Sequence, residues 1–234
     1  MRKLIEGFKT ADLRCAVALV YFAVCLTVLE YYYLTTRVQV RLTGRRGPIS
    51  LEAGVTWALA TSILYAVVPA LIVFFLHKQS LRSIGYSLKG FLRHSWIYFG
   101  LYLFMVPFLF FAAGQRSFQV TYPFVFEARQ DWATFWKWEC AYLLQFFALE
   151  AFFRGYLLFT LEKRIGWNAI FVLAVPYCMI HYHKPWMEAG GAIIAGIALG
   201  ALALRLRSFY GGFLLHGMVA VTMDLLGAKE SGLF

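Results

Sequence analysis

Long apolar segments constrain this chain more than any other feature. They lie at 14–35, 54–76, 95–114, 132–161, 167–183, 189–204 and 209–226. A helix needs about 20 mostly apolar residues to cross the hydrocarbon core of a bilayer. Residues are 61% hydrophobic and only 15% charged, whereas about 25% of a soluble domain is charged. We therefore predict an all-α, polytopic transmembrane helical bundle. It forms a single membrane domain with seven spans, or eight if one weak span escapes the pattern.

The basic residues predict the orientation of the chain in the membrane. The net charge is +10, but Lys and Arg lie mainly in loops beside the spans, which indicates membrane lipid and no nucleic acid as the partner. With seven spans, 12 basic residues fall on the side of the N-terminus and 8 on the other. Because cytoplasmic loops are enriched in Lys and Arg, we expect a cytoplasmic N-terminus.

Two opposite charges interrupt the fourth apolar segment. Glu150 and Arg154 are four residues apart and so share one face of a helix. One interpretation is an ion pair that makes both charges tolerable in lipid. The other is that Arg154 holds Glu150 ionised and oriented, so that Glu150 takes a proton from water.

Three further ionisable residues follow in the last segments: His181, His216 and Asp224. A rise of 1.5 Å per residue places them and Glu150 at depths of about 12 to 24 Å, which overlap enough for one cavity. A lone membrane histidine can simply bond across helices, and each residue alone is a weak signal. Together they indicate a polar site, because ionisable groups in lipid are costly and usually functional.

These residues carry a resemblance to the CPBP family of intramembrane proteases, also called the CAAX-protease and bacteriocin-processing or Abi family. It covers about residues 132–227. The family's first motif, two glutamates, three variable residues and arginine, is matched by Glu150 and Arg154. Its second motif, an aromatic residue four positions before histidine, is matched by Tyr177 and His181. His216 matches the histidine of its third motif.

The chain departs from the family pattern at two positions. Leu149 replaces the first glutamate, and Ala220 stands where the third motif has Asn or Asp, so Asp224 is the nearest substitute. Such departures resemble a divergent, myxosortase-like bacterial branch whose members process C-terminal sorting signals. That resemblance implies a multi-pass protein of the bacterial inner membrane, with N-terminal helices in 1–131 and a catalytic helical core in 132–227.

The resemblance implies an intramembrane endopeptidase that cleaves a protein or peptide substrate in the membrane. Glu150, with His181, would activate water, Arg154 would hold Glu150, and His216 with Asp224 would stabilise the oxyanion. A divalent metal such as zinc on His181, His216 and Glu150 stays an alternative to a glutamate-activated water without metal. The two changed motif positions also leave open a non-catalytic scaffold, immunity or regulatory protein. A small proton-coupled transporter is a further alternative, although inverted repeats are not evident.

Overall fold

The computed structural model describes residues 12–44, 47–230 and 232. Five of the basic residues used for orientation lie outside the described residues: Arg2, Lys3, Lys9, Arg45 and Arg46. Every regular element in the described part of the chain is a helix, as the apolar segments predict. The prediction of an all-α membrane bundle is confirmed.

The longer helices are numbered in chain order. Helices α1 and α2 are Leu13–Val28 and Thr35–Thr43. Helix α3 is Leu51–Leu76, α4 is Leu88–Ala113 and α5 is Arg116–Thr121. Helix α6 is Trp132–Ile165. The last three are α7, Asn168–Met179, α8, Trp186–Leu206, and α9, Tyr210–Glu230.

Six of the seven predicted spans coincide with helical segments that are long and apolar enough to cross a membrane: Leu13–Thr43, Leu51–Leu76, Leu81–Ala113, Trp132–Ile165, Trp186–Leu206 and Tyr210–Glu230. The fifth prediction differs from the structure. Residues 167–183 contain only the 12 residues of α7, about 18 Å of helix against a hydrocarbon core of about 30 Å. The chain turns immediately after Met179, where His181 donates its backbone N–H to the Cys178 carbonyl at 3.0 Å.

Helix α6 is the central helix of the bundle. Its most apolar window is 83% buried, whereas the other five candidate spans are 17% to 50% buried. It packs against α3 and α9, while α7 pairs with α8 and α4 pairs with α9. The N-terminal helices share this core, since Tyr65 of α3 stacks on Phe152 of α6 at 4.4 Å between ring centroids. Glu150 and Arg154, in this buried part of α6, are therefore enclosed by protein rather than by lipid.

Local sequence fixes where α6 begins and where it changes form. Asp131 caps its first turn, because the Asp131 carboxylate accepts the Thr134 backbone N–H at 2.9 Å. The helix is α-helical as far as Glu150 and then widens into a π-helical stretch, Ala151–Leu157. Such wide turns occur frequently at functional sites. The transition places Glu150 and Arg154 at the most buried level of the bundle.

Candidate active site

Glu150 and Arg154 form an ion pair inside the bundle. The Glu150 side chain is fully buried and that of Arg154 is 4% exposed, with Arg154 Nη1 at 3.1 Å from Glu150 Oε1. Burying two charges costs free energy that only close pairing and further polar contacts offset. The predicted intrahelical pair is thus present in the structure. Because it lies in the core, it needs further polar contacts that a solvent-exposed i,i+4 pair does not need.

His216 reaches the same carboxylate oxygen from the facing helix α9. Its Nδ1 lies 3.2 Å from Glu150 Oε1. Its side chain keeps 15% exposure, whereas that of Glu150 has none. The α9 backbone comes close to α6 at this level because residue 212 is glycine: a β-carbon on Gly212 would lie 2.5 Å from Glu150 Oε2. Among the described residues, Oε2 has no hydrogen-bond partner.

Tyr177 of α7 joins the other members of the cluster. The Arg154 guanidinium lies over its ring at 3.7 Å, a cation–π contact. The phenol oxygen lies 3.4 Å from His216 Nδ1. The Tyr177 backbone carbonyl accepts the His181 Nδ1–H at 2.7 Å. A carbonyl only accepts, so this bond fixes the proton of neutral His181 on Nδ1 and leaves Nε2 as an acceptor.

Glu150, Arg154, His181 and His216 therefore lie together, as their depths in the apolar segments predict. Asp224 does not join them. The Trp138 indole donates to Asp224 Oδ2 at 2.7 Å, and the Asp224 carboxyl faces Glu139. Eight residues of helix separate His216 and Asp224 by about 12 Å, which is too far for both to contact one oxygen.

Leu149, at the position of the family's first glutamate, is 3% exposed and belongs to the main hydrophobic core. Glu150 and Leu149 are adjacent on a helix, so they point about 100° apart. At this level, the side of α6 that faces the cluster therefore carries one carboxylate, that of Glu150.

Two residues of polar character escaped the sequence interpretation. Glu139 is 1% exposed and contacts Asp224. It lies 11 residues before Glu150, close to three helical turns, and this spacing on one face was the signal that could have revealed it. Trp138 lies near the start of a long apolar segment, a position where tryptophan often marks the membrane interface. In the structure it is instead fully buried, with its indole N–H on Asp224.

The residues do not fit a metal centre. Among the described residues, no group of three or more His, Cys, Asp or Glu side chains is arranged to hold a metal ion. The metalloprotease alternative therefore gains no support from the geometry.

A cavity of about 10 Å³ adjoins the cluster, close to the volume that one water molecule needs. It cannot admit a peptide, so a substrate would have to approach His216 from elsewhere. Its lining is mostly apolar: Phe153, Arg154, Leu158, Ile170, Leu173, Tyr177, Gly196 and Gly200.

Fold and site together define a multi-pass helical membrane protein with an ionisable cluster enclosed at the level where α6, α7 and α9 meet. Residues 131–222 match the family described as Type II CAAX prenyl endopeptidase Rce1-like. This match confirms the family resemblance drawn from the three motifs, and it covers the helices that carry them. No curated protein and no solved structure matches the chain.

Proposed function

We propose that this protein is an intramembrane endopeptidase that hydrolyses peptide bonds in membrane-associated or C-terminally anchored proteins. The family match supports a peptidase of the CAAX-protease type at the level of the family. The convergence of the three motifs on α6, α7 and α9 supports the same function. A bacterial cell membrane with a cytoplasmic N-terminus is the proposed location.

One observation carries the proposal: a single oxygen, Glu150 Oε1, is contacted by both Arg154 and His216. The Arg154 guanidinium balances the charge of the Glu150 carboxylate. The His216 imidazole, which contacts the same oxygen, is therefore neutral at rest. Glu150 then accepts the Nδ1–H of His216, which leaves Nε2 of His216 unprotonated. This is the arrangement in which a carboxylate orients a histidine for general-base catalysis.

The exposures favour His216 rather than Glu150 as the group that meets water. The Glu150 side chain is fully enclosed, and His216 is 15% exposed. In the proposed reaction His216 Nε2 takes a proton from water, and the hydroxide adds to the substrate carbonyl carbon. The C–N bond then breaks as the same proton passes to the leaving amide nitrogen. Glu150 stabilises the imidazolium between these steps.

His181 is proposed to supply a second acceptor to the site. The His181 ring lies 4.9 Å from the ring of Tyr177, and the Tyr177 ring lies 6.4 Å from that of His216, measured between ring centroids. With Nδ1 bonded to the Tyr177 carbonyl, Nε2 can accept from the attacking water or from a substrate amide. Arg154 acts through Glu150 and is a positioning residue.

A non-catalytic role is favoured by one observation, the apolar packing of Leu149 at the motif's first glutamate position. In that alternative Glu150, paired with Arg154, only anchors α6 to α9 through its contact with His216. The protein then serves as a membrane scaffold or regulator. The two functions predict different results in the same experiment.

The experiment compares membrane and secreted proteins from cells that express wild type, Glu150→Gln, His216→Gln or His183→Ala at equal levels. His183 is the matched control, since it is an exposed histidine paired with Glu30 away from the cluster. A general base contributes about 10²- to 10⁴-fold to a rate. The Glu150 and His216 variants should therefore accumulate the same uncleaved proteins, and His183→Ala should not. Identical fractions in all four strains, with folded protein confirmed, would establish the non-catalytic alternative.

A further inference from the structure

A second pair of ionisable side chains lies between α6 and α9, outside the candidate active site. Glu139 is 1% exposed and Asp224 is fully buried. The two carboxyl groups face each other across the contact between α6 and α9 and interact electrostatically. Glu139 precedes Glu150 by 11 residues, so the pair lies about 16 Å along α6 from the active-site cluster.

This pair lacks the donors that two carboxylates require. Among the described residues, no hydrogen-bond donor contacts either carboxylate oxygen of Glu139 or the Oδ1 atom of Asp224. Two ionised carboxylates in contact would repel each other, and neither could donate a hydrogen bond. A single proton changes this, because a protonated carboxyl donates to its ionised neighbour. Like-charged carboxyl groups that share a buried site hold a proton for this reason.

The neighbours of the pair indicate which member holds the proton. Asp224 Oδ2 accepts the Trp138 indole N–H at 2.7 Å, and the cations Arg129 and Lys184 act on Asp224 through space. All three favour an ionised Asp224. Glu139 has no comparable donor, so the proton belongs on Glu139.

Other titratable groups surround the pair without replacing the proton. Glu188 is bonded to Lys184 at 2.7 Å, so this acid and base balance each other. Tyr122 donates to Glu188, and burial raises the pKa of Tyr122 well above its usual value, so it stays neutral. Tyr142 and Cys140 also interact electrostatically with the pair.

We propose that Glu139 and Asp224 form a proton-binding site that fastens α6 to α9. The bound proton turns a repulsive contact into a hydrogen bond between the two helices that also carry Glu150 and His216. Loss of the proton leaves two like charges enclosed in protein and loosens the helix pair. The site holds its proton whether or not the chain is a peptidase.

Infrared spectroscopy of the purified full-length protein in nanodiscs tests the proposal. Wild type should show the C=O absorption of a protonated carboxyl group at neutral pH, where ordinary carboxyl groups are ionised. Glu139→Gln should abolish this band, because the amide keeps a donor toward Asp224 but has no titrating proton. Glu162→Gln is the matched control on the same helix; Glu162 lies on the surface with Arg207 and should leave the band unchanged.

Thermal unfolding against pH gives a second readout. Between about pH 5, where an unfolded glutamate is already ionised, and the pH at which the folded pair releases its proton, the pair binds one more proton in the folded protein than in the unfolded chain. Wild-type stability should therefore fall as pH rises through this range. Glu139→Gln should remove this slope and keep the wild-type melting temperature at about pH 5, where the wild-type pair holds its proton. A wild-type spectrum without the band would overturn the proposal, even if the variants failed to fold. So would stabilisation by sodium or calcium chloride in place of the proton, because the pair would then hold a metal cation.

Discussion

At the scale of single residues, the position of the Glu150 carboxylate depends on residue 212 being glycine. Its carboxylate lies against the α9 backbone at Gly212, where a β-carbon would come within 2.5 Å of Oε2. Contacts this short force atoms to move, and the carboxylate is the nearest group that can. The ion pair with Arg154 and the contact with His216 both end on this carboxylate. The glycine is thus a requirement of the site rather than of the helix.

Gly212→Ala should therefore lower the rate of substrate cleavage about tenfold or more, equivalent to about 1.4 kcal/mol of lost transition-state stabilisation. Gly191→Ala is the matched control, because a β-carbon there meets no atom within 4 Å. It should keep full activity and stabilise α8 by up to about 1 kcal/mol. Processing assays and thermal unfolding of both variants measure this. Wild-type cleavage by Gly212→Ala would show that the carboxylate can act from another position.

Sequence spacing predicted part of the site and missed part of it. The four-residue interval placed Glu150 and Arg154 on one face, and the structure pairs them at 3.1 Å. The interval of eight residues, about two helical turns, leaves His216 and Asp224 on broadly one side of α9. Spacing along one helix does not say what the neighbouring helix offers at each level. Glu139 lies opposite Asp224, and its position could not be read from α9 alone.

At the scale of helices, the short helix α7 is attached to the site mainly through Tyr177. The Tyr177 ring carries the Arg154 guanidinium at 3.7 Å, and its carbonyl holds His181. The phenol oxygen contributes less, because 3.4 Å from His216 is beyond the usual hydrogen-bond distance. The aromatic ring, rather than the hydroxyl group, is therefore the part of the side chain that positions the site.

Tyr177→Phe should keep the melting temperature and most of the activity, whereas Tyr177→Leu should lower both. A desolvated cation–π contact contributes about 2 kcal/mol, and leucine cannot replace it. The comparison requires thermal unfolding and substrate processing for both variants. A leucine variant as stable as the phenylalanine variant would mean that Arg154 does not depend on the ring.

The fold itself was largely predictable from hydrophobic length. Backbone groups in lipid must bond within the segment, so a long apolar run such as that of α6 specifies a helix. Helix α7 shows where this argument ends. Apolar residues continue to Ile180, but the helix stops at Met179, three residues after Pro176, and a polar turn follows. Composition locates an apolar segment, whereas turns and partner helices decide how much of it is one helix.

At the scale of the whole molecule, ion pairs sort the loops onto two faces. On one face Asp12 pairs with Arg164, and Arg207 pairs with Glu162 at 2.7 Å. These contacts place the N-terminal end of α1, the end of α6 and the α8–α9 loop side by side. On the other face His183 lies 3.3 Å from Glu30, at the far end of the first span. This grouping agrees with the count of basic residues in the sequence, in which successive loops lie on alternate sides of the membrane.

The face with Arg164 and Arg207 should be cytoplasmic, because the basic loops lie there. Single cysteines at Lys163 and His183, in a chain whose four native cysteines are replaced, can test this with a membrane-impermeant maleimide. Both positions are exposed. In intact cells His183→Cys should react and Lys163→Cys should react only after permeabilisation, because α7 carries the chain from one face to the other between these two positions. The reverse pattern would invert the orientation. Equal labelling in intact cells would mean that the short helix α7 returns to the face from which it started.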